Sequence, residues 1–124
     1  MGHTFSLRAY RIRAVKRLWA LILLLPIALG KTYLVPIEGE IDPALAVFVE
    51  QALARAEREG ASGVAFLIDT PGGRVDAAIR ISDRILQTPL RTLAVVQNAF
   101  SAGALIALSC RQIVMLPGSE LGAA

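Results

Sequence analysis

A general base is what this chain most plainly lacks. Its only histidine is His3 and its last lysine is Lys31, so no imidazole or amine side chain occurs in the rest of the sequence. Cysteine is nearly absent as well: Cys110 stands alone, which excludes an internal disulfide. One His, one Cys and scattered carboxylates cannot assemble a metal site, and no cofactor is expected. The first 30 residues contain no acid, and the chain shows no internal repeat and no low-complexity linker.

Those first 30 residues hold charge of one sign and a hydrophobic run instead. Arg8, Arg11, Arg13, Lys16 and Arg17 precede LWALILLLPIAL at Leu18–Leu29, an uncharged stretch broken by one proline. It is shorter than the ~20 apolar residues of a membrane-spanning helix. A basic region, an apolar core and the small residues around Ala28 and Gly30 read first as a secretory signal peptide. An uncleaved N-terminal membrane anchor is the second reading and a buried core helix the third. Either membrane reading keeps the basic end in the cytoplasm and exports the remainder of the chain to the periplasmic or extracellular side. The formal charge of +3 therefore belongs to targeting: residues 31–124 carry eight basic against ten acidic groups. Nucleic acid is not expected as a partner, because no basic face remains on the folded part. The expected organisation is a signal or anchor at residues 1–30 and one folded unit at residues 31–124.

After Gly30 the pattern alternates between short apolar runs and amphipathic stretches. Thr32–Glu40 reads as a strand, and Asp42-Pro43 as a helix N-cap with proline next, at the first helical position. The helix over Ala44–Glu59 is expected to turn Leu45, Phe48, Ala52 and Ala56 inward, and Gly60 stops it. Gly63–Ile68 is a buried strand. The spacing then predicts a helix over Val75–Gln87 with Val75, Ala78, Ile79, Ser82, Ile85 and Leu86 inward, ended by Pro89. Thr92–Val96 is a third strand, Ser101 opens a helix of small and apolar residues to about Ser109, and Gln112–Leu116 is a fourth strand ending at Pro117-Gly118. The β-α-β-α-β-α-β order predicts a layered α/β fold with a largely parallel sheet, and right-handed crossovers put the post-strand loops on one edge. Cys110, between apolar runs, reads as a small buried side chain.

Two of those post-strand loops carry chemistry. Ser101 comes after the strand over Thr92–Val96 and opens a helix, and Gly72-Gly73 comes after the strand over Gly63–Ile68, with Gly73 standing 28 positions before Ser101. Taken singly, a serine at a helix start is more often a cap and a Gly-Gly pair more often a turn. Taken together, they supply a hydroxyl at a strand-to-helix junction and bare amides to face it. The N–H groups of Gly73 and Ala102 are the candidate oxyanion donors, and Ala102 adds the positive end of a helix dipole. Asp69 reads as a strand-end hydrogen-bond acceptor, with Asp76 a weaker candidate for orienting a group near the turn. The missing part is a base to take the serine's proton.

IDTPGG at Ile68–Gly73 and then FSAGALIAL at Phe100–Leu108 resemble the Clp-protease/crotonase fold group, and within it the NfeD family of membrane-bound serine proteases. VPIEGEIDPALAVFVEQAL at Val35–Leu53 and PGSELGAA at Pro117–Ala124 also look like family segments. The resemblance implies a Clp/crotonase-like α/β fold, incomplete at the C-terminus and preceded by a hydrophobic segment. It implies Ser101 as nucleophile and Gly73 and Ala102 as oxyanion donors, with Phe100 in place of the small residue usual before the serine. It further implies a Ser-Lys dyad whose lysine lies outside these 124 residues, so that the fragment alone is expected to be inactive. The implied partners are a peptide or membrane-protein substrate, stomatin-like among them, a membrane, and further copies in a homo-oligomer when complete. Two rival classes remain: a crotonase-type acyl-CoA enzyme using the same paired amides, and a non-catalytic membrane-anchored scaffold in which Ser101 only caps a helix.

Overall fold

The computed structural model describes residues 30–122, and the signal or anchor expected at residues 1–30 lies almost wholly outside them. Strands and helices alternate strictly through seven elements: β1 Thr32–Glu38, α1 Pro43–Arg58, β2 Gly63–Thr70, α2 Val75–Gln87, β3 Arg91–Phe100, α3 Ala102–Ser109 and β4 Gln112–Gly122. The four strands form one sheet in chain order, every neighbouring pair parallel. Sequential parallel strands joined by right-handed crossovers place all the connecting helices on one face. The contacts agree, since α2 packs against α1 on one side and α3 on the other.

Local chemistry fixes the helix ends. Asp42 caps α1 through its Oδ1, which accepts the Leu45 N–H at 2.8 Å, and Pro43 occupies the first turn, where no amide donor is needed. At the other end Gly60, at φ +69°, lets its own N–H reach the Glu57 carbonyl and the Ala61 N–H reach that of Ala56. This pair of bonds satisfies carbonyls the helix would otherwise leave open.

The core lies between the sheet and the helices. Cross-strand rows Val35–Phe66–Ala94 and Ile37–Ile68–Val96 bury their side chains against Val49 and Leu53 of α1, Ile81 and Ile85 of α2, and Ile106 of α3. Burying one such aliphatic side chain contributes about 1.5–3 kcal/mol, so this layer holds the fold.

The helix faces follow the sequence expectation at Ala56, Ala78, Ser82 and Ile85, with Leu45 and Ala52 half-buried against the core, and depart from it at Phe48, Val75, Ile79 and Leu86. On α1 the buried residues are Ala46, Val49, Leu53 and Ala56, while Phe48 is 44% exposed. On α2 they are Ala77, Ala78, Ile81, Ser82 and Ile85, leaving Val75, Ile79 and Leu86 exposed. Both helices carry more apolar residues than one stripe can bury. Strands β2 and β3 also run further than expected, to Thr70 and Phe100. Likewise β4 does not end at Leu116: after a register jump across Pro117-Gly118, Glu120, Leu121 and Gly122 pair with Asn98, Ala99 and Phe100.

Two bidentate ion pairs join α1 to α2. Arg80 donates to both Glu50 carboxylate oxygens at 2.7 Å, and Arg84 to both of Glu57 at 2.8 and 2.9 Å. The second pair is the more sheltered, and the Thr88 hydroxyl adds a 2.6 Å bond to Glu57. Hydrogen bonding from Arg84 holds the Glu57 carboxyl below its ordinary value. A depressed carboxyl pKa contributes stability that is complete above the ordinary value of 4.5 and lost as pH falls through the folded one. Replacing Glu57 by Gln is therefore expected to cost about 1 kcal/mol at neutral pH. That difference should shrink between pH 5 and pH 3, as read from urea unfolding of both proteins across this range.

Candidate active site

The loops after β1, β2 and β3 build the C-terminal edge of the sheet. At the end of β2, Thr70 turns inward and its hydroxyl accepts the Gly72 N–H at 3.0 Å, closing the turn over Pro71. Gly72 and Gly73 then take φ of +113° and +152°, which side chains with a Cβ rarely adopt. The loop after β1 runs alongside: the Ile41 N–H donates to the Gly72 carbonyl and the Arg74 N–H to the Ile41 carbonyl, both at 2.9 Å. Gly73 sits between these two bonds, so close that a Cβ there would collide with the Ile41 backbone. Among the described residues, nothing accepts its N–H.

Ser101 joins β3 to α3 at φ 52° and ψ −118°. These are the values of the first central residue of a type II′ turn, a position ordinarily given to glycine. It is the only non-glycine residue with positive φ among the described residues. Two main-chain bonds keep it there: the Ser101 N–H donates to the Gly122 carbonyl at 2.7 Å, and the Ala104 N–H to the Ser101 carbonyl at 3.0 Å. The side chain caps nothing; it makes no hydrogen bond to the helix it precedes. Ser101 is exposed, and the helix behind it opens at the buried Ala102. A first-turn amide has no carbonyl four residues back within its helix to bond, so the Ala102 N–H remains a donor in search of an acceptor.

The two turns meet. A Cβ built on Gly72 would lie 3.1 Å from the Phe100 carbonyl oxygen, 3.2 Å from the Ser101 Cβ and 3.7 Å from the Ala102 nitrogen. The Pro-Gly-Gly backbone thus packs directly on the serine turn, and Gly73 and Ala102 flank the contact. A hydroxyl on a strained turn beside two unused amides can serve chemically as a nucleophile with oxyanion donors, and what it lacks is a base. Nearby carboxylates do not fill that role. Asp69 accepts a 3.2 Å bond from the Asn98 amide, and Asp76 is held by Arg74 and by the Ala77 N–H, with its pKa lowered chiefly by Arg74. Cys110 is buried, and burial pushes its thiol up to about 12, so it supplies no thiolate. Among the described residues the only amine side chain is Lys31, just ahead of β1 and at the opposite end of the sheet from the turn.

The structure brings the turns of Gly73, Ser101 and Ala102 together, and it adds Thr70, Ile41 and Gly122, which sequence reasoning passed over. Thr70 had a readable signal, since a threonine two residues before a glycine can bond that glycine's N–H across a turn. The other two act through main-chain atoms and carry none.

An α/β chain with a parallel sheet, a strained serine at a strand-to-helix turn and a glycine pair packed on it has the Clp-like fold. ClpP1 from Listeria monocytogenes matches it at a TM-score of 0.62 with 28% identity, over 69% of this chain and 52% of that one. More particularly, the chain belongs to the NfeD1b family: the model of the NfeD1b N-terminal domain matches residues 31–124. Membrane protein NfeD1b of Bacillus subtilis (strain 168) is 39% identical over 93 residues, covering 74% of this chain and 21% of that protein. The membrane-bound protease PH1510 of Pyrococcus horikoshii is 35% identical over 95 residues, or 73% of this chain and 22% of that one. A solved structure of the 1510-N membrane protease specific for a stomatin homolog, from the same organism, superposes at a TM-score of 0.70 with 34% identity. It covers 75% of this chain and 49% of that one. The chain thus spans about a fifth of each full-length relative.

The backbone geometry has measurable consequences. Strain at Ser101 should make Ser101→Gly more stable than Ser101→Ala by about 1 kcal/mol in urea unfolding, because alanine keeps the unfavourable φ. Gly73→Ala should cost roughly 2–4 kcal/mol in the same assay, since its methyl has no room beside Ile41.

Proposed function

We propose that this chain carries the nucleophile and oxyanion-binding part of a membrane-associated serine endopeptidase of the NfeD type. Ser101 attacks the carbonyl carbon of an apolar peptide segment. The Gly73 and Ala102 amides receive the oxyanion as the carbonyl becomes tetrahedral, and one such donor is worth roughly 3 kcal/mol in the transition state. The proton of the Ser101 hydroxyl passes to a lysine outside these 124 residues, as the general base of a Ser-Lys dyad. The same group then returns a proton to the leaving amine. Membrane proteins of the stomatin type are the substrate class, by analogy with the 1510-N protease, and membrane association rests on the same relatives. The signal or anchor at residues 1–30 would place the site on the exported side.

The observation that carries this reading is the packing of the Gly72 backbone on the Ser101 turn, so close that a Cβ on Gly72 would lie 3.2 Å from the serine Cβ. A helix cap needs no such approach, and Ser101 makes no capping bond. The test is a fluorophosphonate probe applied to the full-length gene product. Ser101 should be the labelled residue, and Ser101→Ala should abolish the label. Silence at Ser101 would favour the scaffold or the acyl-CoA reading. In addition, purified residues 1–124 should hydrolyse no peptide, and turnover lost on Ser101→Ala would contradict the placement of the base elsewhere.

A further inference from the structure

We propose that Thr70 is the positioning residue of the oxyanion site, the single side chain that sets both the Gly73 and the Ala102 amides. The inference rests on the protease reading and extends it to a residue with no direct role in the chemistry. Thr70 is 1% exposed at the end of β2. Its hydroxyl donates to the Gly39 carbonyl at 2.5 Å and accepts the Gly72 N–H at 3.0 Å, with the Gly72 carbonyl 3.3 Å away. A hydroxyl has one proton, so the short contact to Gly39 takes it, and the lone pair facing Gly72 fixes the turn. The loop after β1 is thereby tied to the Pro-Gly-Gly turn through one oxygen, and the Gly73 amide is the next in line. The methyl group works on the other side. Thr70 Cγ2 fills the space where a Cβ on Gly103 would be, so the first turn of α3 rests on it. Ala102 immediately precedes that glycine.

The two halves of one side chain therefore hold the two donors, and they can be removed separately. Thr70→Val keeps the methyl and deletes the hydroxyl, leaving the buried Gly72 N–H without a partner. Thr70→Ser keeps the hydroxyl and deletes the methyl. In the ligand-free 124-residue protein, backbone amide NMR should show the Gly73 resonance shifted and its exchange quickened in Thr70→Val. In Thr70→Ser the Gly73 signal should stay in place while the Ala102 signal moves. Gly73 and Ala102 amides unmoved in both folded variants would overturn the proposal, whatever the protein's activity.

The functional arm applies an apolar peptide boronic acid to the full-length gene product. The Ser101 oxygen adds to the empty boron orbital and its proton leaves to solvent, giving a tetrahedral boronate anion whose oxygen occupies the donor site, with no bond to boron broken. A tetrahedral boron-11 signal absent in Ser101→Ala marks that adduct. Thr70→Val should weaken it by about tenfold or more, as expected for displaced oxyanion donors, and Thr70→Ser should recover most of the loss. Undiminished binding by folded Thr70→Val would refute positioning. If the unsubstituted protein gives no Ser101-dependent signal, the protease reading fails, and the amide measurement still decides what Thr70 does. Should Thr70→Val not fold, Gly103→Ala takes its place. Its new methyl presses on Thr70, so the Ala102 resonance should shift and the adduct weaken, and adding Thr70→Ser should relieve both; no relief would sink the proposal.

Discussion

The approach of one stretch of main chain to another is the constraint on which the rest of this structure depends. The Pro-Gly-Gly turn after β2 and the serine turn after β3 come close enough that even a methyl group on Gly72 would be in tight contact. Two features allow it: glycine at both positions of positive φ in the first turn, and a serine held in a glycine-like conformation in the second. Such a conformation costs about 1–3 kcal/mol and persists only where its surroundings over-determine it. Here the surroundings are the Gly122 carbonyl that accepts the Ser101 N–H, the Ala104 N–H that donates to the Ser101 carbonyl, and the buried Thr70 between the two turns.

The sheet supplies the frame for that meeting, and its irregularities matter as much as its regularity. Between β2 and β3 the register skips Gln97, so Asp69 faces Asn98 and Thr70 faces Ala99. Between β3 and β4 it skips Gln97 on one side and Leu116–Ser119 on the other. Extra residues of this kind re-aim the end of a strand. The second jump brings Gly122 back beside Phe100, which is what lets its carbonyl take the Ser101 N–H.

Much of the fold was legible because it repeats simple signals. The alternation of apolar runs with amphipathic stretches gave all seven elements in order, and the Asp42-Pro43 and Gly60 boundaries carried their own cap chemistry. The helix faces were less readable. Spacings of three and four accept two adjacent stripes on the same helix, and large residues such as Phe48 and Leu86 draw attention to the wrong one. Alanines at 46 and 77 are buried instead. The extension of β4 past Pro117 was equally hidden, since a Pro-Gly pair marks a turn and says nothing of whether pairing resumes beyond it.

The amino-acid sequence by itself determined the chemical inventory: which turns hold glycine, where the lone candidate nucleophile stands, and that neither imidazole nor amine occurs after Lys31. It also determined the order of the elements, because hydrophobic periodicity is a local property. Only the tertiary structure decided that the two turns touch, that Ser101 is strained and caps nothing, and that Thr70 lies between the turns. Those facts rest on contacts between segments distant in the chain, Gly72 with Ser101, Ser101 with Gly122, and Thr70 with Gly39 and Gly103. Their separation in space is set by sheet register and helix packing, and no local pattern encodes it.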